Sequence, residues 1–139
     1  MTAILAVRKV RPEPGAEMTR VERPVLGPSD VRVQIRAASV CGTDKHIYNW
    51  DAWAQGRIKP PMTFGHEACG DVVEVGSVVR NVSVGDFVSL ETHVPCGKCR
   101  LCLTGSQHIC KDLKILGVDT AGCFAEEVVI PEVCAWVNP

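Results

Sequence analysis

The chain predicts a mainly β domain with short helices, a partly open barrel that carries a metal-binding lobe. Three observations predict it: apolar residues alternating with a period of two, proline and glycine punctuating the alternating runs, and cysteines spaced C-x2-C-x2-C-x7-C from Cys96 to Cys110. Many short antiparallel strands around one core suggest a partly open barrel.

The strands are read in order. Ala3 to Val7 alternates, and Val31, Val33 and Ile35 share one face while Arg32, Gln34 and Arg36 take the other. Further strands are expected over Gly70 to Val75, Asp86 to Leu90, Phe124 to Ile130 and Val133 to Val137. Pro12, Pro14, Gly15, Pro24, Gly27 and Pro28 mark tight turns. Thr43 to Trp53 reads as the one helix, with Thr43 or Asp44 as its cap. Gly76 to Gly85 and Cys96 to Cys110 read as loops. With 139 residues and no repeat, low-complexity segment or linker, residues 1–139 are expected to form one domain with its own core.

Composition narrows the function. Fifteen basic against 16 acidic residues argue for neither nucleic acid nor an anionic membrane, so the expected ligand is a small molecule or another protein surface. The apolar run from Ala3 to Val7 is too short for a signal-peptide core, and no later stretch is long enough to span a bilayer. A cytoplasmic location is expected. In that reducing compartment eight cysteines point to metal binding plus buried thiols, with Cys69, Cys123 and Cys134 as the inert class.

Four thiolates on one short lobe, Cys96, Cys99, Cys102 and Cys110, can surround a tetrahedral zinc and leave no position for substrate. Such a metal is structural. The same spacing admits two other arrangements, an iron–sulfur cluster and a pair of disulfides. The cluster is disfavoured by Lys111 where the ferredoxin pattern has proline, and by the longer interval before the fourth cysteine.

A second constellation lies upstream, in Cys41-Gly42-Thr43-Asp44-Lys45-His46 and Gly65-His66-Glu67. Thiolate, imidazole and carboxylate from two segments are the ligand types of a catalytic zinc with an open position. The spacing alone does not separate that reading from a buried cysteine beside a core histidine.

The segments "CGTDKH", "GHEACGDVVEVG", "VGDFVSLE" and "CGKCRLCLTGSQHIC", in that order, resemble the zinc-dependent medium-chain dehydrogenases. Within that family, "CGTDKHIYNWDAW" followed by "PPMTFGHE", with "ILGVDTAGCFAEEVVIP" later, looks most like the members that oxidise the secondary hydroxyl of L-threonine. The resemblance implies a GroES-like catalytic domain, with a structural zinc lobe over residues 93–113. It implies that Cys41, His66 and Glu67 hold the catalytic zinc, and that Cys96, Cys99, Cys102 and Cys110 hold the structural one. Asp44 would orient His66 through its other ring nitrogen. Thr43 would relay the hydroxyl proton and His46 would pass it toward solvent, NAD being the hydride acceptor. A local reading stands beside each role: a helix cap for Asp44 and Thr43, a surface imidazole for His46. His93 would line the substrate pocket, His108 would hydrogen-bond near the thiolates, and Trp50 and Trp53 would either form a pocket wall or simply pack.

No G-x-G-x-x-G follows a strand, so residues 1–139 are expected to lack the Rossmann cofactor domain, which in the family follows this segment. By resemblance the complete protein is a homo-oligomer and this portion is inactive alone. Two further readings share the residues: a catalytic domain for another polyol or alcohol, and a stand-alone zinc-stabilised binding module without turnover.

Overall fold

The structure, a computed structural model, describes residues 3–139. Ten strands and three short helices occur in it: β1 (Ala3–Lys9), β2 (Glu17–Glu22), β3 (Asp30–Ala38), α1 (Gly42–Asn49), α2 (Ala52–Arg57), β4 (Met62–Thr63), β5 (Ala68–Val75), β6 (Phe87–Leu90), β7 (His93–Val94), α3 (Arg100–Leu103), β8 (Lys114–Ile115), β9 (Glu127–Pro131) and β10 (Ala135–Val137). A five-stranded sheet in the order β10-β6-β5-β3-β9 is antiparallel throughout, and β2-β1-β4 forms a second sheet. Residues 123–126 stitch the two together. Val7 N donates to Phe124 O at 2.8 Å, Glu126 N to Leu5 O at 3.0 Å, and Ile35 N to Glu126 O at 3.0 Å. The sheets therefore curl into the partly open barrel that the alternation predicts.

The core follows from period-two burial. Val31 and Val33 of β3, Val72 of β5, Val88 of β6, and Val128 and Ile130 of β9 meet at its centre, and every one is nearly inaccessible. Burying each such side chain stabilises the fold by about 1.5–3 kcal/mol relative to exposure. Arg32 departs from the simple alternation: it sits on the opposite face yet is buried. Its Nε donates to Glu74 at 2.8 Å and its Nη1 to Pro24 O at 2.9 Å, with the Glu127 carboxylate 3.6 Å away. A buried guanidinium needs such partners, because alone it would leave a charge unsolvated.

The expected helix over Thr43 to Trp53 is two helices. Trp50 adopts a left-handed conformation, φ 56°, at the end of α1, and Asp51 then caps α2. Cys41, not Thr43, is the N-cap of α1: its Sγ accepts from Thr43 N at 3.3 Å while Asp44 Oδ2 accepts from Cys41 N at 3.0 Å, a reciprocal capping box. Gly76 to Gly85 is free of helix and strand, whereas the Cys96 to Cys110 stretch folds one turn of α3 and a 3₁₀ turn over Gln107–Ile109. The strand expected from Val133 begins later, because Glu132–Cys134 is a 3₁₀ turn. Of the thiols taken as inert, Cys123 and Cys134 are fully buried and burial pushes both up to about 12. Cys69 is only half-buried.

Candidate active site and metal lobe

Two loops bring the upstream residues together. The first is the turn from β3 into α1, where the capping box holds the thiol of Cys41 at the helix start. The second is Phe64-Gly65-His66, held by three backbone bonds: Gly122 N to Thr63 O at 2.8 Å, Cys123 N to Gly65 O at 2.9 Å, and Phe124 N to Phe64 O at 3.0 Å. Gly65 is required there, since its φ is +89° and a Cβ would lie 2.4 Å from the Phe124 ring. Gly122 is required opposite it, because a Cβ would lie 2.3 Å from Gly65 O. The placement of His66 thus depends on residues 122–124, of which the sequence marks only Cys123 as a buried thiol and Phe124 as the start of a strand. Their signal was a glycine two residues before Phe124 in an otherwise apolar stretch.

In the assembled site Cys41 Sγ and His66 Nε2 stand 3.1 Å apart. Ligand atoms at about 2.3 and 2.0 Å on one tetrahedral ion stand about 3.5 Å from each other, so the pair fits a shared metal after a small opening. The other ring nitrogen, Nδ1, faces Asp44 Oδ1 at 3.8 Å, and both atoms are buried without a hydrogen-bond partner. Asp44 is 2% exposed, so it serves the helix cap with one oxygen and turns the other toward the imidazole. The two readings of Asp44 are compatible in one side chain.

Cys41, Asp44 and His66 present ligand atoms within 4.8 Å of one another. Glu67 is not brought into that cluster. Its side chain is exposed and accepts a hydrogen bond from Ser39 Oγ. A cleft of about 510 Å³ opens over His66, lined by Ser39, Glu67, Cys69, Ser89, Glu91 and Thr92. His93 does not line it; its Nδ1 pairs with Glu91 Oε1 at 2.8 Å beside a separate, smaller cleft that it shares with His108 and Trp136. Thr43 and His46 lie one turn apart on α1, the spacing that puts two side chains on one helix face. His46 donates from Nδ1 to Asp51, and Trp53 packs on it with ring centroids 6.0 Å apart, so Trp53 contacts the histidine and not the cleft. Trp50 packs instead against the cluster around Ile47 and Phe64.

The lobe is pinned at its base by β7 pairing with β8, His93 opposite Ile115 and Val94 opposite Lys114. Within it the sulfurs of Cys99 and Cys102 are 3.5 Å apart, those of Cys96 and Cys102 3.9 Å, and those of Cys99 and Cys110 3.9 Å. Four thiolates at about 2.3 Å around one tetrahedral ion are about 3.8 Å apart. The spacing fits one zinc. All eight cysteines are free, so the disulfide alternative is set aside, and thiolates ligating separate irons of a cluster would stand farther apart. Backbone N–H groups, that of Cys102 foremost, hold the Cys99 thiol down to about 6, while burial pushes Cys102 up to about 12. Cys96 is lowered by the backbone N–H groups of Lys98 and Cys99. His108 is exposed and lies on a 3₁₀ turn, making no hydrogen bond to the sulfurs among the described residues.

Comparison with known proteins agrees with this architecture. Residues 27–139 match the alcohol dehydrogenase GroES-like domain. An L-threonine 3-dehydrogenase of Symbiobacterium thermophilum is 55% identical over 133 residues, 96% of this chain and 38% of the relative. A cobalt- and zinc-bound thermostable alcohol dehydrogenase from Pyrobaculum aerophilum superimposes with a TM-score of 0.85 at 30% identity, over 99% of this chain and 42% of that one. An NAD-dependent alcohol dehydrogenase gives a TM-score of 0.85 at 29% identity, over 97% and 39%. The chain spans about two-fifths of the length of these proteins. Matched over most of its length in sequence and superimposed throughout in structure, it belongs to the alcohol dehydrogenase GroES-like domain family.

Proposed function

We propose that this chain is the catalytic-domain portion of a zinc-dependent oxidoreductase that moves a hydride from the secondary hydroxyl carbon of L-threonine to NAD. The observation that carries the reading is the approach of Cys41 Sγ to His66 Nε2, from positions 25 residues apart, with Asp44 behind the imidazole. The threonine substrate is supported by the name of the Symbiobacterium relative, and zinc and NAD by those of the alcohol dehydrogenases.

In this reading Cys41 and His66 hold the catalytic zinc, and Glu67 joins them on leaving Ser39. Cys96, Cys99, Cys102 and Cys110 hold the structural one. When bound, zinc lowers the hydroxyl pKa as a Lewis acid, and NAD takes the hydride. The hydroxyl carbon loses a hydride and its oxygen a proton, leaving a ketone. Thr43 accepts that proton at its hydroxyl while passing its own along α1 to His46, an imidazole whose ordinary pKa suits it to proton exchange near neutrality. The cleft over His66 receives the substrate. The nicotinamide-binding part belongs to a further segment, as the length of the relatives, of which this chain covers 38–42%, supports. The cytoplasm, where thiolates stay reduced, is the expected location, and the complete protein is a homo-oligomer.

The test is threonine-dependent NADH formation at equal zinc loading by the complete protein, beside other secondary alcohols and polyols. Threonine should be preferred. Preference for another alcohol moves the substrate assignment, and absence of turnover with every alcohol overturns the enzymatic reading in favour of a binding module.

A further inference from the structure

We propose that Asp51 is a positioning residue for His46, holding its Nδ1 so that Nε2 is the nitrogen that exchanges protons. The proposal rests on the reading of His46 as a proton acceptor given above.

The geometry arises from the break between the two helices. Had α1 continued, residue 51 would lie on a different face from residue 46, since positions five apart are turned well away from each other. The left-handed Trp50 instead folds the chain back, and Asp51 N comes to 3.5 Å from His46 O while its carboxylate reaches the ring. Asp51 is fixed from the other side. Its Oδ1 accepts from Ala54 N at 3.0 Å as the N-cap of α2, leaving Oδ2 for His46 Nδ1. Trp53, the second residue of α2, sets its ring against the imidazole at 55°. The histidine is therefore confined by a carboxylate and an indole that both belong to the same short helix.

This arrangement has a chemical consequence. A neutral imidazole that donates from Nδ1 carries its lone pair on Nε2, so the bond to Asp51 selects the tautomer. The backbone N–H of Ala54, then the hydrogen bond from His46, hold the Asp51 carboxyl below the usual range, so it is ionised and can only accept from the ring.

The substitutions separate charge from structure. Asn caps a helix as well as Asp does and can still accept from Nδ1, so Asp51→Asn removes the charge alone, whereas Asp51→Ala removes the cap and the acceptor together. The measurement is ¹⁵N NMR of the histidine rings in the intact zinc-loaded protein, with the His46 signals assigned by their loss in His46→Gln. The wild-type ring should be mainly the Nδ1–H tautomer, and Asp51→Asn, which still accepts from Nδ1, should keep it. In Asp51→Ala the tautomer should revert to mainly Nε2–H. Turnover should follow the tautomer: kcat should fall several-fold in Asp51→Ala and be largely retained in Asp51→Asn, with KM little changed in both. An Nε2–H wild-type ring, or a ring that stays Nδ1–H in Asp51→Ala, overturns the proposal whether or not the protein oxidises threonine. A reverted tautomer with unchanged kcat in Asp51→Ala overturns it too, by showing that the orientation of His46 is not what turnover reads. Loss of threonine activity in the wild type, with other alcohols also inert, would instead strike the functional reading, and the NMR arm would still decide whether Asp51 sets the ring.

Discussion

Asp44 Oδ1 and His66 Nδ1 face each other across 3.8 Å, two buried polar atoms with no other partner. The separation is too long for a hydrogen bond, and closing it by less than 1 Å would make one. Such a bond would fix the ring so that Nε2 meets Cys41, where the two ligand atoms already stand 3.1 Å apart. Asp44→Asn keeps an acceptor for Cys41 N and loses the charge behind the ring. Zinc affinity at the upstream site should fall about 10–100-fold, read by chelator competition. Equal affinity in the variant would show that Asp44 only caps α1.

The four-cysteine site draws its ligands from one continuous stretch closed by the β7–β8 pair, and three of its four sulfur-bearing residues are buried. The upstream site draws on two segments, and Cys41 is half-buried. Brief chelation should therefore remove the upstream zinc first. Cys99→Ser should abolish binding in the lobe and lower the melting temperature, since structural zinc contributes folding energy comparable with a domain's whole net stability. Full zinc content with an unchanged melting temperature in that variant would refute the structural role.

Lys9 is 1% exposed, and its ammonium donates to Glu13 O at 2.9 Å, to Tyr48 O at 3.1 Å and to Gly15 O, with the Trp50 ring centroid 5.5 Å away. Burial lowers its pKa, yet the three carbonyls and the aromatic face compensate the charge. One side chain thus ties β1, the turn after it and the C-terminal end of α1. Lys9→Met keeps the stem and strands three carbonyls, and should destabilise the protein by about 2–4 kcal/mol in urea titration. A loss under about 0.5 kcal/mol would mean that water replaces the ammonium without cost.

Glu132 clamps the Gly76 to Gly85 loop by accepting from the backbone N–H groups of Asn81 and, at 2.7 Å, Arg80. Those bonds, Asn81 first and Arg80 second, hold its carboxyl below the ordinary value. A depressed carboxyl stabilises the fold at pH above its unfolded pKa, about 4.3, and the contribution is lost as pH falls through the folded value. Urea midpoints between pH 3 and 7 should fall less steeply with acid in Glu132→Gln than in wild type, the two curves converging at the acid end. Parallel curves would assign the acid sensitivity to other carboxylates.

The alternation of Val31 and Val33 with polar neighbours was enough to read β3 as a strand with one face in the core, because burial in a strand repeats with the same period as its side chains. The lobe was equally legible: cysteines with two, two and seven residues between them can enclose one ion using local chain alone, and the structure sets three pairs of their sulfurs 3.5–3.9 Å apart. The short strands β4, β7 and β8 left no such trace, since two residues carry no periodicity. Nor could the break at Trp50 be read, because a left-handed conformation at a non-glycine residue is imposed by its surroundings, not by its own preference.

Sequence alone determined which ligand types the upstream candidate site offers, a thiol, an imidazole and carboxylates in two segments, because residue type sets which atoms can bind metal. Tertiary structure decided which carboxylate stands behind His66. Asp44 and Glu67 have the same functional group, and what separates them is the capping box that turns Asp44 inward and the Ser39 hydroxyl that holds Glu67 at the surface. It likewise decided that residues 122–124 hold His66 in place, since backbone bonds between segments more than fifty residues apart form only once the barrel has closed.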